Sequence, residues 1–191
     1  MADPDTIGLG DLGRREDYVG RQLRRWKKQW DASQQREIPA MDRAFDLLVE
    51  RLPDQRYETI VHGDYRPGNV IFGSDSPDVV AVLDWEMATI GDPLMDLGTT
   101  LAYWTEAGDD PRWRAAGFGP TALPGIPTRR QLAERYARQT GFDVSNLTFY
   151  FCFGLFKLAV IVQQIYYRYH HGQTQRVGHA AGVDLLDQPF D

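Results

Sequence analysis

The chain alternates between long amphipathic stretches and a central region of short apolar runs. Residues 16–33 carry apolar side chains at helical spacing among many arginines and lysines, which predicts an amphipathic helix. Residues 39–52 repeat the pattern and stop before a proline, so a second helix is expected there. The central runs are rich in β-branched residues and bounded by turn residues, which predicts short strands at residues 59–61, 70–72 and 79–83.

The second half of the sequence is predicted to be mainly helical. Helical periodicity and terminal proline, threonine or glycine signals place helices at residues 93–105, 128–140, 145–169 and 174–186. A stretch rich in glycine and proline, residues 107–127, is predicted to be a long loop at the rim of a substrate pocket. The fold class expected from these elements is α+β, mainly α-helical with a small β-hairpin region.

One predicted helix, residues 145–169, is apolar enough to need a membrane test. It contains Lys157, and its longest uncharged run is shorter than the roughly 18 residues expected of a spanning helix. We therefore expect a buried core helix and no membrane partner. Lys157 is expected to reach the surface or to pair with an acidic residue.

The segment HGDYRPGN, residues 62–69, and the strand-ending Asp84 carry the candidate chemistry. Asp64 lies in the turn after the first strand, Asn69 follows five residues later, and Asp84 ends the third strand. Phosphoryl transfer needs a carboxylate near the attacking hydroxyl and hard oxygen ligands for Mg²⁺. A bland interpretation makes Asp64 and Asn69 turn residues and Asp84 a strand end. The complete ordered set favours the phosphoryl-transfer interpretation.

This order of strand, loop, hairpin and strand-ending aspartate resembles the catalytic and metal-binding segments of protein kinases. Together with VLDWEMATIGDPLMDLG, residues 82–98, it resembles the aminoglycoside phosphotransferase and choline kinase-like family. Within that family it is similar to the subgroup found alone in bacteria or fused to acyl-CoA dehydrogenase domains. The likeness extends over residues 7–178, and the subgroup likeness rests on residues 26–33, 38–41, 62–69, 91–98 and 125–127.

The resemblance implies a role for each matching residue. Asp64 matches the catalytic base, and Asn69 and Asp84 match the ligands of Mg²⁺ beside ATP. Asp96 matches an aspartate that braces the catalytic loop through backbone hydrogen bonds, with a helix-surface acid as the alternative. His62 is interpreted as a structural residue of the loop.

Arg66 and Glu86, two charged residues near this segment, can each be interpreted in two ways. Arg66 either contacts a phosphate or an acidic substrate, or it forms a loop salt bridge with Glu86 or Asp92. Glu86, expected two residues beyond Asp84 on the same strand face, either assists the metal or a substrate cation or is a structural carboxylate.

A kinase-like enzyme also needs a glycine-rich strand-turn-strand and a lysine on the next strand, and the sequence shows neither. Residues 8–13 match G-x-G-x-x-G, but no predicted strand precedes them, so the match is attributed to chance. We expect residues 1–14 to be an interlobe linker or the start of the chain and residues 15–187 to form a kinase-like carboxy-terminal lobe. The amino-terminal nucleotide-binding lobe is expected to be absent, which would leave the lobe inactive alone and its exposed interlobe surface able to form homo-oligomers.

Composition narrows the function classes. The chain has 191 residues, 42% hydrophobic and 25% charged, which is typical of one globular domain. Its net charge of −6 argues against a nucleic-acid partner. A single cysteine, Cys152, lies in an apolar run and is expected to be buried, which together with the absence of a targeting segment favours a cytoplasmic location.

The function expected from these observations is ATP- and Mg²⁺-dependent phosphotransfer to a hydroxyl group of a small molecule. Glu106, Asp109 and Asp110 hint at a cationic acceptor such as an aminoglycoside, and the basic first helix hints at a hydroxy acid or hydroxyacyl-CoA. Two alternatives belong to other classes: a non-catalytic kinase-like interaction module and a metal-dependent hydrolase that uses the same acids.

Overall fold

Two amphipathic helices begin the computed structural model, which describes residues 3–76, 78–115 and 118–173. Helix α1 spans Tyr18–Ser33 and α2 spans Pro39–Glu50, each within two residues of the predicted ends. The apolar stripe of α1 is buried, as its spacing predicts, through Val19, Leu23, Trp26 and Trp30. Before α1, the described residues 3–17 form turns and bends without a strand, so the G-x-G-x-x-G match has no strand to support it.

Within the described residues, four short strands form two antiparallel sheets of two strands each. The strands are β1 Thr59–Val61, β2 Val70–Phe72, β3 Val79–Val82 and β4 Thr89–Gly91. The predicted hairpin of β2 and β3 is confirmed. Strand β4 is not predicted by the sequence pattern, and it pairs with β1 in the register Thr59↔Gly91. This pairing places the chain that leaves β1 beside the segment that enters β4, and the start of β1 beside the chain that leads into the next helix.

The remaining helices are α3 Pro93–Tyr103, α4 Pro111–Ala115, α5 Arg129–Thr140 and α6 Leu147–His170. Both ends of α5 are as predicted, with a capping box at Thr128 and left-handed Gly141 after the last turn. The expected loop at residues 107–127 is partly wrong, because it contains α4 and a 3₁₀ turn at Pro120–Ala122. The predicted helix at residues 174–186 lies outside the described residues.

Helices α3 and α6 cross at the centre of the core. A Cβ atom on Gly98 would lie 2.2 Å from the Tyr150 carbonyl oxygen, and one on Gly154 would lie 2.5 Å from the Gly98 carbonyl oxygen. The two backbones therefore touch directly, and no larger residue fits at either position. Nearly every residue of α3 is buried.

Helix α6 corrects two expectations. Lys157 is buried, with 4% of its surface exposed, so it does not reach solvent. Cys152 is exposed and not buried, because α6 presents one side to the core and the other outward. By length and composition α6 could cross a membrane, a test that buried core helices also pass, and half of its most apolar window is covered by the rest of the fold.

Candidate functional site

The loop that follows β1 is shaped by a glycine and a 3₁₀ turn. Gly63 has φ +83°, and a Cβ atom there would lie 2.8 Å from the Met87 carbonyl oxygen, so only glycine fits. The 3₁₀ turn Pro67–Asn69 then returns the chain toward Asp64. The buried Asn69 amide nitrogen donates to the Asp64 carbonyl oxygen at 2.9 Å and to Asp64 Oδ2 at 3.1 Å. The structure therefore brings these two sequence-predicted residues into direct contact.

Asp64 is held by one carboxylate oxygen. Oδ2 accepts from Arg66 Nε at 3.0 Å in addition to Asn69, and the side chain is 17% exposed. Across the described part of the chain, no hydrogen bond involves Oδ1. The carboxylate is thus fixed in orientation and keeps one oxygen for another partner.

Arg66 pairs with the predicted base itself. A loop salt bridge, one of the two interpretations of Arg66, does form, but its partner is Asp64 and not Glu86 or Asp92. The buried Asp92 carboxylate accepts a hydrogen bond from the Tyr150 hydroxyl instead. The Arg66 guanidinium also lies 5.3 Å from the centre of the Tyr103 ring. Burial, reinforced by the nearby Asp64 charge, raises the pKa of Tyr103 to about 12. The phenol of Tyr103 is therefore neutral at physiological pH.

His62 has both ring nitrogens in hydrogen bonds. Nδ1 accepts from the Asp64 backbone N–H at 3.2 Å, so the proton is assigned to Nε2, which donates to the Leu83 carbonyl oxygen at 2.8 Å. The ring is buried against Trp85 at 4.7 Å between centres. The geometry suits a structural residue that joins the loop to the end of β3 and leaves no nitrogen for proton transfer.

Two charged residues of opposite sign, a partly buried Asp96 and a buried Lys157, hold the loop from the side of the helix pair. Asp96 on α3 accepts from the His62 N–H at 2.6 Å and the Gly63 N–H at 2.8 Å, the bracing that the family resemblance implies. Lys157 on α6 donates to the Gly63 carbonyl oxygen at 2.5 Å. Every polar group of the Gly63 backbone is therefore satisfied by a charged side chain of the central helix pair.

Burial changes the proton affinity of both groups. It raises the pKa of Asp96, and the two backbone N–H groups and the Lys157 ammonium offset part of that rise. It lowers the pKa of Lys157, and the carboxylates of Asp64 and Asp96 oppose that fall. No carboxylate lies within salt-bridge distance of Lys157 among the described residues. The expected salt bridge between Lys157 and an acidic residue is therefore wrong.

Asp84 has an unusual backbone conformation beside Asn69. Its φ of +69° and ψ of +49° are left-handed, at the start of the 3₁₀ turn Trp85–Met87. The preceding residue, Leu83, donates its N–H to the Asn69 carbonyl oxygen at 2.8 Å, which ties the two segments together. The Asp84 carboxylate is exposed and has no hydrogen bond or ion pair with any described residue.

Glu86 does not lie where the sequence placed it. It belongs to the 3₁₀ turn and not to a strand, so it does not share a strand face with Asp84. Its side chain is exposed and forms no ion pair with the described residues.

The oxygen atoms near the loop suit a metal ion that is bound partly by the protein and partly by a substrate, and not by protein ligands alone. In the described ranges, no three residues among His, Cys, Asp and Glu converge to hold a metal. Asn69 uses its side-chain nitrogen on Asp64, which leaves its side-chain oxygen without a hydrogen bond to the described residues. The backbone carbonyl oxygen of Asn69 accepts from Leu83, so Asn69 and the free Asp84 carboxylate lie on segments that are joined. Mg²⁺ is commonly bound by one or two protein oxygens together with substrate phosphates and water, and this donor set fits that pattern.

The acidic residues near residue 107 are already engaged. Asp109 forms two hydrogen bonds with the Arg129 guanidinium, at 2.9 and 2.5 Å, and Glu106 accepts from the Arg129 backbone N–H. Asp110 accepts from the Arg112 N–H in its own turn at 2.7 Å. Two of the three carboxylates behind the hint of a cationic acceptor are therefore bound to Arg129, and Asp110 remains exposed.

Sequence reasoning missed two residues of the site, Tyr103 and the role of Lys157. Both lie on helices far from the motif, and Lys157 is 94 residues from the glycine that it contacts. The only signal for Lys157 was a lone cation in an apolar helix.

Comparisons with known proteins agree on one family. A sequence model of the phosphotransferase enzyme family matches residues 1–140. The mouse protein named acyl-CoA dehydrogenase family member 10 is 37% identical over 174 residues, which cover 90% of this chain and 16% of that protein. The rat protein named acyl-CoA dehydrogenase family member 11 is 35% identical over 187 residues, which cover 90% of this chain and 22% of that protein.

A solved structure is similar over nearly the whole chain. It is a crystal structure of a protein named as an aminoglycoside phosphotransferase from Ralstonia eutropha, with a TM-score of 0.81 and 36% identity. The alignment covers 95% of this chain and 56% of that chain. The chain thus spans about a fifth of the length of the curated relatives above and just over half of the solved one.

Proposed function

Because this chain belongs to the phosphotransferase enzyme family, we propose that it transfers the γ-phosphate of ATP to a hydroxyl group of a small molecule. Family membership and the similar crystal structure support a kinase-like transferase at the coarse level. We propose in addition that ATP is the phosphate donor, that a small-molecule hydroxyl is the acceptor, and that Mg²⁺ and the site residues described above take part. Aminoglycosides and hydroxy acids or hydroxyacyl-CoA are the acceptor classes considered.

The observation that carries the proposal is the orientation of Asp64. Arg66 and Asn69 both bind Oδ2, which leaves Oδ1 for the hydroxyl of an acceptor. A general base must lie within about 2.6–3.2 Å of the hydroxyl oxygen whose proton it takes. Asp64 would orient that hydroxyl and accept its proton, while Asp96 and Lys157 keep the loop in place.

Asn69 and Asp84 would hold Mg²⁺. When bound, Mg²⁺ supplies positive charge that neutralises the phosphate oxygens during transfer. A neutral amide oxygen and one carboxylate oxygen bind such an ion without adding a second negative charge next to the triphosphate. Arg66, whose Nε is bound to Asp64, keeps its terminal nitrogens near the same loop and would contact a phosphate oxygen.

Further nucleotide contacts belong to the proposal as well. The described residues contain no glycine-rich strand-turn-strand with a following lysine. We propose that a nucleotide-binding lobe supplies these contacts, since the similar crystal structure has a substantially longer chain. The cytoplasm, where ATP and Mg²⁺ are abundant, is the proposed location.

The test measures the transfer of radiolabelled γ-phosphate from MgATP to a panel of hydroxyl compounds. It compares the native protein with its Asp64→Asn variant. We expect the variant to lose about 10²–10⁴-fold in turnover, the usual contribution of a general base. Asp75→Asn is the control, because Asp75 is an exposed carboxylate in the β2–β3 turn.

Two outcomes would redirect the proposal. Unchanged turnover in the Asp64→Asn variant would favour a non-catalytic kinase-like module. Release of inorganic phosphate with no labelled acceptor would favour a metal-dependent hydrolase.

A further inference from the structure

A groove lies between the second half of α1 and the C-terminal end of α6. Its volume is about 750 Å³, within the range of pockets that hold small organic ligands. From α1 it is lined by residues at helical spacing i, i+3, i+4 and i+7, and from α6 by residues at i, i+3 and i+4. The polar side chains that line the groove include Arg25, Lys28, Gln29, Gln164, Tyr167 and Arg168.

Hydrogen bonds between the two helices fix the floor of the groove. Gln164 Nε2 donates to Gln29 Oε1 at 3.2 Å, and Gln163 Nε2 donates to the Ser33 carbonyl oxygen at 2.9 Å. Arg168 Nε donates to the Gln164 carbonyl oxygen at 3.3 Å. The spacing of the two walls is therefore set within the protein itself, before any ligand binds.

The cations of the groove have no acidic partner among the residues that the structure describes. Arg25, Lys28 and Arg168 are exposed, and none forms a salt bridge with the residues that the structure describes. Their neighbours on α1 behave differently, since Arg24 pairs with Asp17 and Lys27 pairs with Asp31. Three cations without a salt bridge to the described residues therefore line one concave surface.

Helix dipoles do not account for this arrangement. A cation at a helix C-terminus is stabilised by the dipole, but the effect is confined to about the last turn. Arg168 lies in the last turn of α6, whereas the last turn of α1 holds no basic residue. Arg25 and Lys28 therefore have no such partner.

We propose that this α1–α6 groove binds the phosphate groups of a small anion. Arginine binds phosphate through two parallel N–H groups, and lysine contributes a compact positive charge. The glutamine amides and the Tyr167 hydroxyl supply neutral donors for the remaining oxygens. The proposal is independent of the catalytic role of Asp64, because none of its ligating groups belongs to the loop at residues 62–69.

The test titrates two probes into the protein by calorimetry at low ionic strength: inorganic pyrophosphate and adenosine 3′,5′-bisphosphate. The groove variant is Lys28→Gln with Arg168→Gln, and the matched control is Arg24→Gln with Arg130→Gln, which removes the same charge from exposed helix positions elsewhere. Each lost charged hydrogen bond should raise the dissociation constant by about tenfold or more. We therefore expect about a hundredfold weakening in the groove variant and little change in the control.

The outcomes separate the sources of the phosphate. Tighter binding of the bisphosphate than of pyrophosphate, lost in the groove variant, supports an organic phosphate as the ligand. Equal binding of both probes, lost in the same variant, supports a free inorganic phosphate. Equal weakening in groove and control variants, or no heat from either probe in the native protein, would overturn the proposal. Circular dichroism of both variants confirms that they are folded.

Discussion

Asp84 adopts a backbone conformation that few residues other than glycine adopt. Left-handed φ and ψ are sterically costly for most side chains, although aspartate and asparagine tolerate them best. No described interaction of the Asp84 side chain offsets this cost, since the side chain forms no cap hydrogen bond and is exposed. Residues held in such conformations cluster at functional sites, where the surrounding structure fixes them. The β3 end and the Leu83–Asn69 hydrogen bond provide that constraint here.

The Asp84→Asn variant should separate function from stability. Asparagine tolerates the left-handed conformation, and no described contact of the carboxylate is lost, so the unfolding free energy should change by less than about 0.5 kcal/mol. Turnover with MgATP should fall by about a hundredfold, because a metal ligand that contributes several kcal/mol is weakened. Urea denaturation and turnover over a Mg²⁺ series measure the two effects.

Glu86→Gln is the comparison for this experiment, because Glu86 is an exposed carboxylate in the same turn. If only Asp84→Asn alters the Mg²⁺ dependence, Glu86 is not a metal ligand. An Asp84→Asn variant with unchanged Mg²⁺ dependence would remove Asp84 from the proposed site.

The loop residues were predictable because their spacing is local. His62, Asp64 and Asn69 lie within one turn-containing segment, so the sequence alone brings them near each other. Lys157 shows the limit of that reasoning. Its backbone partner, Gly63, is distant in sequence, and an apolar helix with one lysine is compatible with either an exposed or a buried ammonium group. Only the packing of α6 against the loop decides between them.

Secondary-structure elements differ in how much of their stability is local. Helix α5 has a capping box at Thr128 and a left-handed glycine at its end, signals that a sequence shows directly. Strand β4 has only the three residues Thr89–Gly91 and is defined by its pairing with β1, which no local pattern reveals. Helix α4 has local start signals in Asp110 and Pro111, but it is only five residues long and lies in a glycine- and proline-rich segment that favours a loop.

An ion pair anchors that segment to α5 and gives a pH-dependent prediction. The hydrogen bonds from Arg129 hold the pKa of Asp109 below its ordinary value, and the Asp109 side chain is 19% exposed. The folded state therefore binds this proton less readily than the unfolded state. Asp109 contributes stability above its unfolded pKa of about 4, and the contribution is lost as pH falls through the folded pKa.

Asp109→Asn should accordingly lower the unfolding free energy at pH 7 by about 1.5–3 kcal/mol, the usual value of hydrogen bonds to charged groups. The difference from the native protein should shrink as the pH falls below about 4. Urea denaturation at a series of pH values checks this, with Asp110→Asn as the control because Asp110 binds only a neighbouring backbone N–H. A difference that stays constant down to pH 3 would contradict the ion-pair explanation.

At the scale of the whole molecule, one rigid helix pair supports the site. The glycine contact between α3 and α6 sets their distance, and each helix sends one charged residue, Asp96 or Lys157, to the same loop. Small shifts between the helices would thus move both anchors of Gly63. The β2–β3 hairpin begins directly after Asn69, exposes much of its surface and takes no part in this core.

That exposed side is strongly apolar, and we propose that a second copy of the chain covers it. The hairpin and the residues around Asp84 expose large apolar side chains to between 43% and 63%: Ile71, Phe72, Val79, Val80, Leu83 and Trp85. Clusters of large exposed apolar side chains mark interaction sites in soluble proteins. We expect concentration-dependent association in sedimentation velocity at micromolar concentrations.

The variant Phe72→Thr with Val80→Thr should shift the protein toward the monomer, because it removes two of the most exposed apolar side chains and keeps a high strand propensity. Leu123→Thr with Ile126→Thr is the matched control, since these side chains are 59% and 41% exposed outside the hairpin.

Since the hairpin surface flanks Asp84, a dimer formed through it would cover the proposed metal site. Added MgATP should therefore shift the equilibrium toward the monomer. A protein that sediments as a monomer at every concentration would rule out this role of the hairpin.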